Sequence, residues 1–234
     1  MDFNSLSELL ANQSCRFRYA TTSLHQLNNL PPKQLPEVNF GLSEKRNQEY
    51  LLGRLAIKNA LVSLGNVPAL IERDPLTKAP VWPNGIAGSL SHSSGLALAV
   101  VSDSPPILGL GVDIEKANRT IDPKIDRHIC TQDESEDLHS LHSENQAIRL
   151  LLTFSAKESL YKCFYEKIPI NLLRFKNVSL KWESNTWTAD WKFPHKRKYL
   201  MEEIIGYWGI DQNWLWTCLL YTSPSPRDRQ KSRM

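Results

Sequence analysis

The chain has 234 residues, 28 of them Lys or Arg and 25 Asp or Glu, and its 41% hydrophobic content is enough to pack one large domain or two small ones. No apolar run approaches the roughly 18 residues a membrane span needs, and the opening "MDFNSLSELL" lacks a basic n-region, so a soluble cytoplasmic protein is expected. The net charge of +3 sits in the last thirteen residues, "TSPSPRDRQKSRM", with four basic residues and one acid; the remaining 24 of each sign cancel and give no case for a nucleic-acid partner.

Four cysteines, Cys15, Cys130, Cys163 and Cys218, form no CxxC pair, which argues against a zinc ribbon or a disulfide framework and fits a reducing compartment. Residues 43–64, "SEKRNQEYLLGRLAIKNALVSL", start at a Ser43 cap, repeat leucines at helical spacing and stop at Gly65, which predicts an amphipathic helix. Arg54 and Lys58 lie one turn apart on its polar side, with Arg46 about two turns earlier; the wet face of a helix is their plain reading. "ERDPLTKAPVWPNG" follows, a proline-stiffened loop that carries Lys78.

"AGSLSHS", "LALAVVS" and "ILGLGVDIE" read as three short strands in a meander. A second long helix is predicted over about 145–167, and "FKNVSLKWE", "TWTADWKF" and "NWLWT" alternate as strands do. The tryptophans here are expected to pack a sheet. This order predicts an α+β fold of two halves with similar plan, 1–108 and 109–221, each a long helix on a small, mainly antiparallel sheet. Residues 222–234 read as a disordered, non-native tail that resembles adapter read-through, with the foreign stretch starting as early as Cys218 and the last strand cut short.

In "GLGVDIE" the two-residue period puts Gly109, Gly111, Asp113 and Glu115 on one face. The two acids have Cα atoms about 6–7 Å apart, and their repulsion is relieved if a cation is shared. The glycines would leave room for a ligand to approach. A hard divalent ion, most naturally Mg²⁺ with substrate phosphates, meets both conditions; two solvated acids at a strand end is the plain alternative.

"FSAKESLYK" places Glu158 and Lys162 as an i, i+4 pair, with Ser155 on the same flank and Lys157 on a different side. Alone this is a surface salt bridge, but so many polar groups in an apolar helix point to a site or an interface. His92, between Ser91 and Ser93, is either a solvated loop residue or a phosphate contact. His139 and His142 lack a third ligand at defined spacing and read as a solvated connection.

Together "GSLSHSSGLALAV", "GVDIE" and "FSAKESLYK", with "EYLLGRLAIKNAL" and "DPLTKAPVWPNG" upstream, resemble the 4'-phosphopantetheinyl transferase superfamily in its long monomeric type, over roughly residues 43–182. The resemblance implies two pseudo-symmetric halves with coenzyme A bound in the cleft between them. It implies Mg²⁺ held by Asp113, Glu115 and Glu158, and His92, Ser91, Lys157 and Lys162 near the cofactor's phosphates. Arg46, Arg54 and Lys78 would hold the phosphoadenosine end. The reaction implied is transfer of 4'-phosphopantetheine from coenzyme A to a serine of an apo acyl- or peptidyl-carrier protein, releasing 3',5'-ADP, in siderophore, polyketide or nonribosomal peptide synthesis. Glu158, Lys162 and His92 would carry the chemistry, with Glu158 as ligand or as base. "IPINLLRFK", with Arg174 and Lys176, is the candidate surface for an acidic carrier. A non-catalytic coenzyme A-binding paralogue and a Mg²⁺-dependent phosphate-ester hydrolase are the competing readings.

Overall fold

The computed structural model describes residues 2–13, 15–31, 43–65, 71–105, 107–192 and 204–222. Apart from Thr222 itself, the tail expected over 222–234 lies outside them. Helix α1 (Asn4–Ala11) is followed by strand β1 (Phe17–Ser23) and a short helix α2 (Leu24–Asn28), where Ser23 and Gln26 form a reciprocal capping box. The helix predicted over 43–64 is α3 (Glu44–Leu64). Ser43 caps it by accepting from the Arg46 backbone N–H, and Gly65 ends it in the left-handed region at φ 92°.

Strands β2 (Ala87–Ser93), β3 (Leu96–Ser102) and β4 (Ile107–Lys116) come next, but they do not form one meander. β2 and β3 pair antiparallel and join β1 in a three-stranded sheet of order β1-β3-β2, whereas β4 enters a different sheet. The chain then forms α4 (Asp126–Ile129), α5 (Gln132–Ser140) and α6 (Ser143–Phe164). Helix α5 stands where the sequence reads as a solvated connection; Thr131 and Glu134 supply the capping box that starts it.

Strands β5 (Val178–Trp182), β6 (Thr186–Trp191), β7 (Ile204–Asp211) and β8 (Trp214–Thr222) complete an antiparallel sheet of order β4-β8-β7-β6-β5. β8 is longer than "NWLWT": Cys218 pairs with Val112 and Tyr221 with Gly109, so residues 218–222 belong to the sheet.

The fold is therefore α+β with two antiparallel sheets, α3 packed on the first and α6 on the second. Between the sheets, Leu96, Leu98 and Val100 of β3 meet Leu110, Val112 and Ile114 of β4 in one buried cluster. Each such side chain stabilises the fold by roughly 1.5–3 kcal/mol when fully buried. Helix α1 reaches across to the second sheet, where Ser5 Oγ donates to Asp211 at 2.7 Å and Phe3 and Leu6 join the shared cluster. The opposite face of β3, with Ala97, Ala99 and Val101, packs on α3.

Candidate functional site

The edges of β2 and β4 meet without strand pairing, and a row of serines takes its place. Ser89, Ser91 and Ser93 alternate along one face of β2. Ser89 Oγ accepts from the Val112 N–H at 2.9 Å and Ser91 Oγ from the Ile114 N–H at 3.2 Å, so the hydroxyls satisfy backbone donors at the edge of β4. Two hydroxyls of the row reach the acids. Ser91 Oγ donates to Asp113 Oδ1 at 2.7 Å and Ser93 Oγ to Glu115 Oε2 at 2.7 Å.

Helix α6 closes the site from the other side. A Cβ on Gly111 would stand 1.9 Å from the Ser159 carbonyl oxygen, and one on Gly109 2.7 Å from Cys163 Sγ. The space left by these glycines is thus filled by the α6 backbone rather than by a ligand, which corrects the expectation from sequence. Such close approach brings Glu158 and Lys162 to the acids. Lys162 Nζ donates to Asp113 Oδ1 at 2.7 Å and to the Val112 carbonyl at 3.1 Å. Lys162 is therefore paired with Asp113 across the fold, not with Glu158 along the helix.

Asp113 is 5% exposed, and its second oxygen, Oδ2, is buried with no hydrogen-bond partner among the described residues. A buried carboxylate oxygen left bare is costly. The Glu158 carboxyl is pushed above the ordinary carboxylate range, first by burial, with Lys162 opposing and Asp113 and Glu115 adding to the rise. Hard oxygen donors of this kind suit a divalent cation. Even so, no group of three His, Cys, Asp or Glu side chains is gathered closely enough to hold a metal among the described residues.

A cavity of ≈ 480 Å³ is lined by Lys45, Arg46, Arg54, Arg73, Lys78 and His92 together with one acid, Glu49. A second, of ≈ 230 Å³, runs from Lys78 and His92 to Glu158, Tyr161 and Lys162. His92 borders both. It lies within β2 rather than at a hairpin tip, and the protein packed around it lowers its pKa, first by desolvation, with Glu49 opposing. Lys78 is aimed by the loop before it: Asp74 Oδ1 accepts from the N–H groups of Leu76 and Thr77, and Lys78 itself takes φ 63°.

Two family models match the chain: a 4'-phosphopantetheinyl transferase N-terminal domain over residues 42–102, and the 4'-phosphopantetheinyl transferase superfamily over residues 109–217. Enterobactin synthase component D of Escherichia coli O157:H7 is 33% identical over 162 residues, 65% of this chain and 74% of that protein. The chain belongs to the 4'-phosphopantetheinyl transferase superfamily. Enterobactin synthase component D of Salmonella typhi is 36% identical over 129 residues, 54% of this chain and 51% of that protein. The 4'-phosphopantetheinyl transferase Npt of Nocardia iowensis is 30% identical over 147 residues, 63% of this chain and 64% of that protein. The chain thus spans about half the length of several curated relatives it matches.

Four polar residues in this superfamily member stand elsewhere than the sequence predicts. Lys157 is 1% exposed, and its three protons go to Glu134 Oε2 at 2.6 Å and to the carbonyls of Ile129 and Phe175. It has no donor left for a phosphate. Ser155 and Ser159 face β8, where both meet Thr217 Oγ1, and both are fully buried. Ser91 is 3% exposed and serves Asp113 rather than solvent.

Arg54 is partly committed as well: its Nη1 donates to the carbonyls of Ile71 and Glu72, and the guanidinium lies 4.9 Å over the Tyr50 ring. Lys45, Arg73, Ser93 and Tyr161 also line or support the transferase-family cleft, although the sequence alone does not single them out. The period-two serines were the available signal for Ser93. For Arg73 it was a place opposite Lys78 in one stiffened loop, where its Nε donates to the Lys78 carbonyl at 2.9 Å.

Proposed function

We propose that this protein transfers the 4'-phosphopantetheine group of coenzyme A to a serine of an apo acyl- or peptidyl-carrier protein and releases 3',5'-ADP. The observation that carries the reading is a cavity with five cationic side chains that shares Lys78 and His92 with a second one reaching Glu158 and Lys162, whose ammonium holds Asp113 with its Oδ2 bare. A polyanionic substrate and a divalent cation together would complete both features.

Arg46, Arg54, Arg73 and Lys78 suit the phosphoadenosine end of coenzyme A, and His92 and Lys162 suit its pyrophosphate. Asp113, through its free Oδ2, is the residue that would hold Mg²⁺, with Glu158 and Glu115 the other acids of the expected set, and the ion would supply neutralisation of charge on the pyrophosphate. The carrier's serine oxygen forms a bond to the phosphorus attached to pantetheine while the bond from that phosphorus to the ADP oxygen breaks. Glu158, whose proton affinity is raised, accepts the serine proton. Lys162, held by Asp113 and the Val112 carbonyl, offers a fixed positive charge to the departing ADP.

The halves 1–108 and 109–221 divide this work, the first holding the nucleotide and the second the acids. Ile170, 68% exposed, and the exposed Arg174 and Lys176 support a carrier-facing surface in the segment 168–176. No helix among the described residues is long and apolar enough to cross a membrane; a cytoplasmic monomer is part of the proposal. The test is to mix the protein with coenzyme A, Mg²⁺ and a panel of apo carriers and to weigh the carriers intact. A gain of one phosphopantetheine supports the reading. Release of phosphopantetheine with no carrier present would instead identify a hydrolase, and no turnover with any carrier would leave a coenzyme A-binding protein.

A further inference from the structure

Arg54 and Lys58 stand one turn apart on α3, yet they serve different spaces. Arg54 lines the cationic cavity described above, whereas Lys58 lines a separate one of ≈ 430 Å³ between the end of β1, α2 and α3, and the two cavities share no residue. That volume lies within the range of small-molecule sites. Leu30 and Leu55 give the cavity an apolar wall, Asn59 adds a neutral amide, and among the described residues around it none is acidic. Two of its polar groups are left over by the fold. Thr22 is 3% exposed, and its buried Oγ1 has no hydrogen-bond partner among the described residues, a costly state for a hydroxyl. Lys58 is exposed, no acid stands three or four residues to either side of it on the helix, and it makes no ion pair among the described residues.

We propose that this cavity is a second ligand site, for a small organic acid that carries another hydrogen-bonding group at the far end of a short apolar body. The carboxylate pairs with Lys58, the body lies on Leu30 and Leu55, and the far polar atom meets Thr22 Oγ1 once that hydroxyl turns about its Cα–Cβ bond toward the cavity. The charge of the lining selects the class of ligand. One ammonium among neutral groups matches a single carboxylate, whereas the five cationic side chains of the other cavity match a polyanion. A threonine at Thr22 is the second clue, because valine has the same shape without a hydroxyl to leave unpaired. The inference stands apart from the transfer reaction, and neither Thr22 nor Lys58 belongs to the groups assigned to it.

The test titrates the full, isotopically labelled chain with three matched probes and follows backbone amide shifts by NMR. The probes are ω-hydroxyhexanoate, hexanoate, which lacks the far hydroxyl, and ω-hydroxyhexanamide, which lacks the charge. ω-Hydroxyhexanoate is expected to give saturable shifts around Thr22 and Lys58 and to bind more tightly than either control. Thr22→Val should weaken it roughly two- to tenfold and leave hexanoate unchanged. Lys58→Met should weaken both carboxylates about two- to fivefold and leave the amide unchanged. Thr22→Ser, which keeps the hydroxyl, should bind as wild type does. Without ligand, Thr22→Val should raise the urea midpoint, since it removes a buried hydroxyl that has no partner. A lowered midpoint would show that the hydroxyl is already satisfied within the protein and would overturn the proposal. Shifts that fail to saturate at this cavity overturn it as well, and so does equal affinity for the three probes or a Thr22→Val protein that binds ω-hydroxyhexanoate unchanged.

Discussion

Lys162 Nζ and Ser91 Oγ each lie 2.7 Å from the same oxygen of Asp113, so both neighbours crowd Oδ1 and leave Oδ2 bare. One oxygen anchors the carboxylate while the other is buried without a partner among the described residues. Asp113→Asn keeps the shape and removes the charge. Pantetheine transfer should fall at least ~10²-fold, the scale of losing one preorganised charged group. Coenzyme A affinity in the absence of metal should change far less, because the basic cavity is untouched. Steady-state kinetics beside calorimetry with metal-free protein checks both expectations.

Lys157 is a structural cation. Its side chain is fully buried against Glu134, whose Oε1 also accepts from the Leu180 N–H at 2.8 Å and whose Oε2 accepts from the Thr131 N–H at 2.7 Å. Breaking a buried pair by removing one partner typically destabilises by ~3–5 kcal/mol, because the other charge is left uncompensated. Lys157→Met should therefore lower the urea midpoint sharply, while the folded fraction keeps a wild-type KM for coenzyme A. Adding Glu134→Gln should recover part of the loss. A raised KM in a stable Lys157→Met protein would return this lysine to the phosphates.

These two lysines show where sequence reading reaches its limit. Helical spacing identifies Lys157 and Lys162 as polar residues in an apolar helix, but their partners sit on elements far away along the chain. Glu134 is 23 residues before Lys157 and Asp113 is 49 before Lys162. Local signals fared better. The Ser43 cap, the Gly65 stop and the face shared by Asp113 and Glu115 are set by neighbours in sequence, and the structure carries all three. "GLG" was legible as an absence of side chains, but not as the seat of a helix backbone, because packing between β4 and α6 is a tertiary property. The expected meander failed at Pro105, where β4 leaves for another sheet and serine hydroxyls replace the strand pairing.

Gly111 provides a direct probe of that seat. A methyl group there would overlap the Ser159 carbonyl, which is backbone of α6 and has no rotamer by which to escape. Gly111→Ala should push α6 outward and separate Glu158 and Lys162 from Asp113. Overpacking of this kind destabilises by ~1–3 kcal/mol or more, and activity should fall further than stability if the displaced groups react as proposed. Urea titration and turnover of the same preparation compare the two. An active, stable Gly111→Ala protein would show that the helix and the strand are not in such close contact.

His92 separates a cationic phosphate contact from a neutral one. Its pKa is lowered from 6.5, chiefly by desolvation, so in the free protein the ring is neutral at pH 7, and on the proposed reading it would meet phosphate through an N–H rather than a full charge. The folded state resists protonation more than the unfolded chain does. This histidine's contribution to stability is therefore complete above about pH 6.5 and is lost as the pH falls through the lower folded value. Imidazole NMR should give a midpoint below 6.5 in the free protein and an upward move on adding coenzyme A, whose phosphates stabilise the protonated ring. In denaturation experiments the advantage of wild type over His92→Asn should shrink as the pH is taken from 7 toward 5. A midpoint above 6.5 before any ligand is added would mean that Glu49 and Asp113 outweigh desolvation, and that His92 meets the phosphates already charged.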